Sequence, residues 1–227
     1  MRSGIYDEFR NPLYAQGIRI VPASGRAPDS MRGFLERIGC YDAAIASNGA
    51  DILDDCGQII SQTFLETGIT LEILSFIRSR GCYVHTYWEN TFHYNLDSHW
   101  ARAYQRSSRL LGVYEEDLDA FARQHPTNKI LVMDSRDRIA EVFLEAREHF
   151  SNRCAITTSK PEFLEFNPTG TSKGIALASI VDTFHLKMEE FCAFGDGRND
   201  ISMLKACGVS VAMANASAEV QSMAKAV

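Results

Sequence analysis

Two carboxylates four residues apart, with an amide between them and glycines beside them, are the densest chemistry in the sequence: Gly195-Asp196-Gly197-Arg198-Asn199-Asp200. Carboxylate oxygens so arranged suit a hard cation such as Mg2+, and glycine lets backbone come close to a ligand. The same residues also make an ordinary turn into a helix, because Asp and Asn cap helices and Gly turns the chain. A second group is Thr171-Ser172-Lys173-Gly174, where a lysine opens a helix whose Leu177, Ile180, Val181 and Phe184 share one face. The favourable charge at that end of a helix is negative, so Lys173 is better explained as the partner of a bound anion than as a helix stabiliser. A third is Ser24-Gly25-Arg26, a hydroxyl, a glycine and a cation in succession.

These groups need strands and helices to hold them. Phe191-Cys192-Ala193-Phe194 predicts a buried strand running into the first group, and Ile201–Cys207 a helix stopped by Gly208. In open α/β sheets ligands sit at the carboxyl ends of strands, which is where this order places Asp196, Asn199 and Asp200. Ile18–Ala23 predicts a second strand ending at Ser24. A helix over Arg32–Ile38 stops at Gly39, and Ala43–Ala46 predicts a short buried strand delivering Ser47-Asn48-Gly49. Ile52-Leu53 and Ile59-Ile60 flank a turn of Asp54-Asp55-Cys56-Gly57 and read as a hairpin.

Residues 68–168 predict a separate α+β unit between the segments 1–67 and 169–227, with a hinge near Thr63–Thr70 and a return linker at Asn167-Pro168-Thr169-Gly170. Within it, Thr70 caps a helix carrying Leu71, Leu74 and Ile77, and Cys82–Trp88 alternates as a strand that returns through Phe92-His93-Tyr94. A helix around Trp100–Leu111, a strand Ile130–Met133, a helix with Ile139, Val142, Phe143 and Ala146, and strands near 155–158 and 163–166 complete it. His85, His93 and Trp88 read as decoration of a strand pair with one wet face, since no third ligand accompanies the histidines.

The 227 residues are 45% hydrophobic and 23% charged, the make-up of an ordinary globular protein. A net charge of -6 without a basic patch argues against nucleic acid as a partner. Six cysteines without a C-x-x-C pair read as reduced core thiols, and no apolar run has the length of a membrane span or leader, so a cytoplasmic protein without a membrane partner is expected.

Ala23-Ser24-Gly25-Arg26, Ser47-Asn48-Gly49-Ala50, Ser172-Lys173-Gly174, Phe194–Asp200 and Val211-Ala212-Met213-Ala214-Asn215-Ala216, in this order, resemble the haloacid dehalogenase superfamily, specifically Cof-type phosphatases with a type IIB cap. The resemblance implies a Rossmann-like core with a parallel sheet and an inserted α+β cap that selects the substrate. It also implies Mg2+-dependent hydrolysis of small phosphorylated metabolites, such as sugar phosphates, through an aspartyl-phosphate. By the same resemblance Ser24 and Lys173 are catalytic, Ser24, Asn48, Lys173 and Asn199 bind the phosphate or leaving group, and Asp196 with Asp200 forms the metal site.

Family enzymes carry a D-x-D-G-T motif whose aspartates are nucleophile and general acid/base, and this sequence does not contain it. Asp7 in Ile5-Tyr6-Asp7-Glu8-Phe9 lacks the second aspartate and the Gly-Thr. The expectation is therefore a core without its central first strand, by rearrangement or because the chain is part of a longer protein, and weak Mg2+ binding. A non-catalytic relative that binds a phosphorylated ligand or a protein partner is the alternative. A dinucleotide-binding oxidoreductase is disfavoured because no G-x-G-x-x-G follows a first strand.

Overall fold

The computed structural model describes residue 13, residues 16–39 and residues 41–227, so the reading of Asp7 lies outside the described residues. Helix α1 (Pro28–Ile38) begins on the proline that suits a first helical position and ends on Gly39 at φ 76°. Strands β1 (Ala43–Ala46), β2 (Asp51–Asp54) and β3 (Ile59–Gln62) then form an antiparallel three-stranded sheet. The predicted strand at Ile18–Ala23 is reduced to one parallel bridge, Ala23 to Ile45. Pro22 has no N–H to give, and the Ile20 N–H is taken by the Asp42 carboxylate at 2.8 Å, so no longer ladder can propagate.

The chain continues through α2 (Thr67–Arg78), β4 (Tyr83–Trp88), β5 (Thr91–Tyr94), α3 (His99–Ser108), β6 (Leu111–Tyr114), α4 (Leu118–Gln124), β7 (Ile130–Met133), α5 (Arg136–Phe150), β8 (Cys154–Lys160) and β9 (Phe163–Pro168). Their strands make one mixed sheet in the order β6-β5-β4-β7-β9-β8. The expected long helix to Leu111 ends at Ser108, because Arg109 turns left-handed at φ 64°, and the strand β6 and helix α4 follow where none was foreseen.

Alternation assigns the two faces of this sheet. Val84, Ile130, Val132, Leu164 and Phe166 pack against Ile73, Leu74 and Ile77 of α2 and Ile139, Val142 and Ala146 of α5. Tyr83, Tyr87, Phe92, Leu131 and Met133 pack on the other face with Ala101 and Tyr104 of α3. His85 lies on this second face and is fully buried, and His93 is buried and stacked on Phe121 at 4.0 Å, so neither decorates a wet surface.

The remaining elements are α6 (Lys173–Thr183), β10 (Cys192–Gly195), α7 (Ile201–Ala206), β11 (Val209–Ala212) and α8 (Ala218–Gln221). Strand β10 pairs in parallel with β11, and Ala226 adds a bridge beside Val211 after α8 has ended. Only the Ala193 and Gly195 side of β10 is buried; Phe194 is 62% exposed. Among the described residues β10 has no second strand partner, and the strand expected to be buried is covered on one face only. Cys82, Cys154 and Cys207 are buried, whereas Cys56 and Cys192 are exposed rather than core thiols.

A buried polar network ties the six-stranded sheet to the loops of the smaller sheets. Lys129 Nζ donates to the Gly25 carbonyl at 2.6 Å, pairs with Glu165 at 3.1 Å and sits over the Tyr87 ring at 5.3 Å. Glu165 also accepts from Asn48 Nδ2 at 2.5 Å and from Ser159 Oγ at 2.8 Å. Asn167 donates to the carbonyls of Ser47 and Asn128, and Asn128 donates to Asp51. Burial pushes the Asp51 carboxyl above its ordinary value, against the hydrogen bonds it accepts. Removing one member of a buried charge pair leaves the other unanswered. Lys129→Met is therefore expected to lower stability by about 3–5 kcal/mol, and Lys129→Met with Glu165→Leu to recover a large part of it, as read by urea unfolding. A single variant as stable as the parent would contradict this account.

Burial holds His85 neutral, and it also lowers the His93 pKa against the pull of Glu115. The unfolded chain binds protons at both below the ordinary histidine value of 6.5, so unfolding takes protons up. Stability is thus complete above that pH and is lost as pH falls. Urea unfolding between pH 7.5 and 5.5 should show a decline of up to about 1.4 kcal/mol per pH unit for each histidine. A flat profile would remove the assignment of both rings as neutral.

Candidate active site

Ser24, Lys173, Asp196, Asn199 and Asp200 come from separate stretches and line one cavity of about 470 Å3. A larger cavity of about 620 Å3, between α1 and the β2–β3 turn, contains none of them. The smaller one is the candidate site because the groups able to do chemistry converge there.

Asp200 organises one wall. Its Oδ1 accepts from Lys173 Nζ at 2.5 Å, and its Oδ2 accepts from the N–H groups of Asp196 and Gly197 at 3.0 and 2.9 Å. Both charged side chains are buried. A β-carbon on Gly195 would lie 2.5 Å from that of Asp200, so only glycine permits the strand to reach this carboxylate. Expected in the metal site, Asp200 spends both oxygens inside the protein. Asp196 is exposed; its Oδ2 accepts from Asn215 Nδ2 at 3.2 Å.

Lys173 stands at the first turn of α6, capped by Ser172, whose Oγ accepts from the Ile175 N–H at 3.2 Å. Opposite it, the Ser24 N–H is fixed by the Ile45 carbonyl and its Oγ accepts from the Arg26 N–H at 3.1 Å, leaving the hydroxyl hydrogen to give.

Asn48 is placed differently from the rest. It adopts φ 59°, a left-handed conformation that a non-glycine residue keeps only when its surroundings hold it. Its amide is committed to Glu165, Asn167 and Asn199. It lines a neighbouring cavity of about 460 Å3, shared with Lys173 and Asn199, rather than the one holding Ser24. A β-carbon on Gly25 would lie 2.7 Å from Asn48 Oδ1, so the Ser-Gly-Arg turn is pressed against this amide. Asn48 reaches the site through Asn199 and Gly25.

Strands β8 and β9 supply Ser159, Lys160, Phe163 and Glu165 to the same cavity, helix α3 supplies Tyr104 and Ser107, and Lys129 enters from just before β7; none of these was foreseen. One signal was present in the sequence. Glu165 interrupts Phe163-Leu164-Glu165-Phe166, where alternation puts it on a buried face, and a carboxylate there must be answered by a cation.

One exposed carboxylate at the cavity, Asp196, suits Mg2+, an ion that takes one or two protein carboxylates and keeps several of its waters. Among the described residues the only three ligand atoms already gathered within 4.8 Å are those of Asp54, Asp55 and Cys56, in the β2–β3 turn and away from this cavity. No helix of the described residues is long and apolar enough to cross a membrane.

Residues 8–227 match the family model of the haloacid dehalogenase-like hydrolases. The HMP-PP phosphatase of Serratia proteamaculans is 28% identical over 214 residues, covering 88% of this chain and 73% of that protein. The 5-amino-6-(5-phospho-D-ribitylamino)uracil phosphatase YcsE of Bacillus subtilis is 27% identical over 222 residues, covering 93% and 78%. The subclass IIB sugar phosphatase BT4131 has a like fold, with a TM-score of 0.79 at 22% identity over 97% of this chain and 83% of that one. The family expected from the five motifs is thus established, and its α/β fold with it: this chain belongs to the haloacid dehalogenase-like hydrolases.

Proposed function

We propose that the cavity binds a small phosphorylated metabolite together with Mg2+, and that it is the phosphoryl site of a phosphatase of this family. The observation that carries the reading is the convergence of the Ser24 hydroxyl, the Lys173 ammonium and the Asp196 carboxylate on one cavity between the two parts of the fold. Lys173 and the Ser24 hydroxyl hold phosphoryl oxygens. Asp200 aims Lys173 and shapes the turn that carries Asp196, and Asn199, tied to Asn48, sets the far side. Mg2+, held by Asp196, supplies charge neutralisation to the phosphate. The relatives named as phosphatases of HMP-PP and of 5-amino-6-(5-phospho-D-ribitylamino)uracil support a small phosphorylated organic compound as the ligand. Residues 68–168 form the cap, which encloses the organic group, and 169–227 with the described residues of 1–67 form the core.

The sequence has no D-x-D-G-T, and each carboxylate lining the cavity already accepts inside the protein: Glu165 from Lys129, Asp196 from Asn215 and Asp200 from Lys173. This observation favours binding without turnover by the 227-residue chain, since positioning and neutralisation without a nucleophile keep only a residual part of covalent catalysis.

Because Asp200 already balances Lys173, a phosphate dianion brings uncompensated charge unless a divalent cation enters with it. Calorimetric titration with inorganic phosphate should therefore show tighter binding in Mg2+ than in EDTA, and Lys173→Ala should weaken it roughly tenfold or more, as expected for a lost charge-assisted hydrogen bond. Equal affinity for parent and Lys173→Ala would refute the site. With p-nitrophenyl phosphate and Mg2+ the purified chain should release nitrophenol at the background rate. Robust turnover abolished by Asp196→Asn would show that a residue of this chain serves as nucleophile.

A further inference from the structure

On the face of the six-stranded sheet toward the cavity, four buried polar side chains form an unbranched chain. Tyr83 Oη lies 3.2 Å from His85 Nδ1, His85 Nε2 lies 3.1 Å from Tyr87 Oη, and Tyr87 Oη is hydrogen-bonded to Tyr104 Oη. Alternation puts Tyr83, His85 and Tyr87 on one side of β4, and α3 brings Tyr104 over them. Tyr104 belongs to the wall of the cavity that holds Ser24, Lys173 and Asp196.

Counting hydrogens gives this chain a direction. Three hydroxyls and a neutral imidazole carry one polar hydrogen each, and three hydrogen bonds use three of those four. The hydrogen left over needs an acceptor elsewhere. At Tyr83, 2% exposed, or at Tyr87, 4% exposed, it would be an orphaned donor in the core, which is costly. At Tyr104 it enters the cavity, where water or a ligand accepts it. Tyr83 then donates to Nδ1, Nε2–H donates to Tyr87, and Tyr87 donates to Tyr104. Burial raises the Tyr104 pKa, so its hydroxyl keeps its proton. Tyr104 Oη makes no hydrogen bond to Glu165, whose oxygens accept from Asn48, Ser159 and Lys129.

We propose that Tyr104 is a specificity-determining residue whose hydroxyl donates to an acceptor atom on the organic part of the phosphorylated ligand, a hydroxyl, carbonyl or ring nitrogen, while Tyr83, His85 and Tyr87 fix it as a donor. The assignment rests on the cavity being the phosphate site. A site built to give a hydrogen bond discriminates strongly against a ligand without the matching atom, so Tyr104 sorts phosphorylated compounds by the group attached to phosphorus.

Two measurements on the full chain test it. Long-range 1H–15N correlation spectra of the parent should show His85 protonated on Nε2 and bare on Nδ1; the opposite tautomer overturns the direction argued above and the assignment with it. Calorimetric titrations in Mg2+ then compare inorganic phosphate, ribose 5-phosphate and glucose 6-phosphate on the parent, Tyr104→Phe and Lys173→Ala. Tyr104→Phe is expected to weaken at least one sugar phosphate roughly five- to tenfold while leaving inorganic phosphate within about twofold. An unchanged affinity for both sugar phosphates, a parent that binds neither more tightly than inorganic phosphate, or an equal loss for all three ligands in Tyr104→Phe overturns it. Failure of the underlying site looks different: Lys173→Ala would bind every ligand as the parent does, whatever the His85 tautomer.

Discussion

A buried ammonium must be answered on every side, and Lys129 is the place where this protein meets that demand. Its charge is matched by Glu165, a hydrogen goes to the carbonyl of Gly25, and its remaining face lies over the Tyr87 ring. Each of these partners belongs to a different part of the molecule. Glu165 comes from β9, Gly25 from the loop that presents Ser24, and Tyr87 from β4, the strand that supports Tyr104. Satisfying one cation therefore fixes the relative placement of the Ser24–Arg26 loop and the larger sheet. The Lys173–Asp200 pair does the same on the opposite wall, where it joins the first turn of α6 to the loop after β10.

Much of the frame was legible in the sequence, and the reasons are local. Alternation in Tyr83–Trp88 and Phe163–Phe166 and the helical spacing of Ile139, Val142 and Ala146 were strong enough to survive packing. The loops bearing Ser24 and Asp196 could be placed because each follows an apolar run and contains glycine, and Lys173 because it opens a helix whose apolar residues share one face. What was not legible depended on contacts distant in the chain. The segment before Ser24 lost its ladder to Pro22 and to a side chain twenty-two residues away, Asp42. Helix α3 stopped early at a left-handed arginine, which no propensity of Arg foretells.

The same distinction holds in the site. Asp196 and Lys173 stand in the wall that motif spacing suggested, whereas Asn48, expected at the ligand, is held behind that wall by Glu165 and Asn167, more than a hundred residues on. The polar residues of the larger sheet carried no motif. Their only trace was charge or hydroxyl in positions that alternation buries: Glu165 among phenylalanine and leucine, and His85 between two tyrosines. A polar residue on a face that must be dry is a signal of a partner, and here the partners form continuous paths to the cavity.

The way Glu165 is shared has a consequence for how this sequence can change over generations. Its two oxygens serve Lys129, Asn48 and Ser159, and Asn48 in turn holds Asn199 and shares Asn167. Substitutions among residues that share hydrogen-bond partners do not add independently. A neutral replacement at 165 leaves the buried Lys129 charge unanswered unless position 129 changes too, and a replacement at 48 removes one donor to Glu165 and one acceptor for Asn199. Drift at these positions is therefore expected to proceed in correlated steps, while Lys160 and Phe163, which pack on each other outside this web, can change together and retune the pocket.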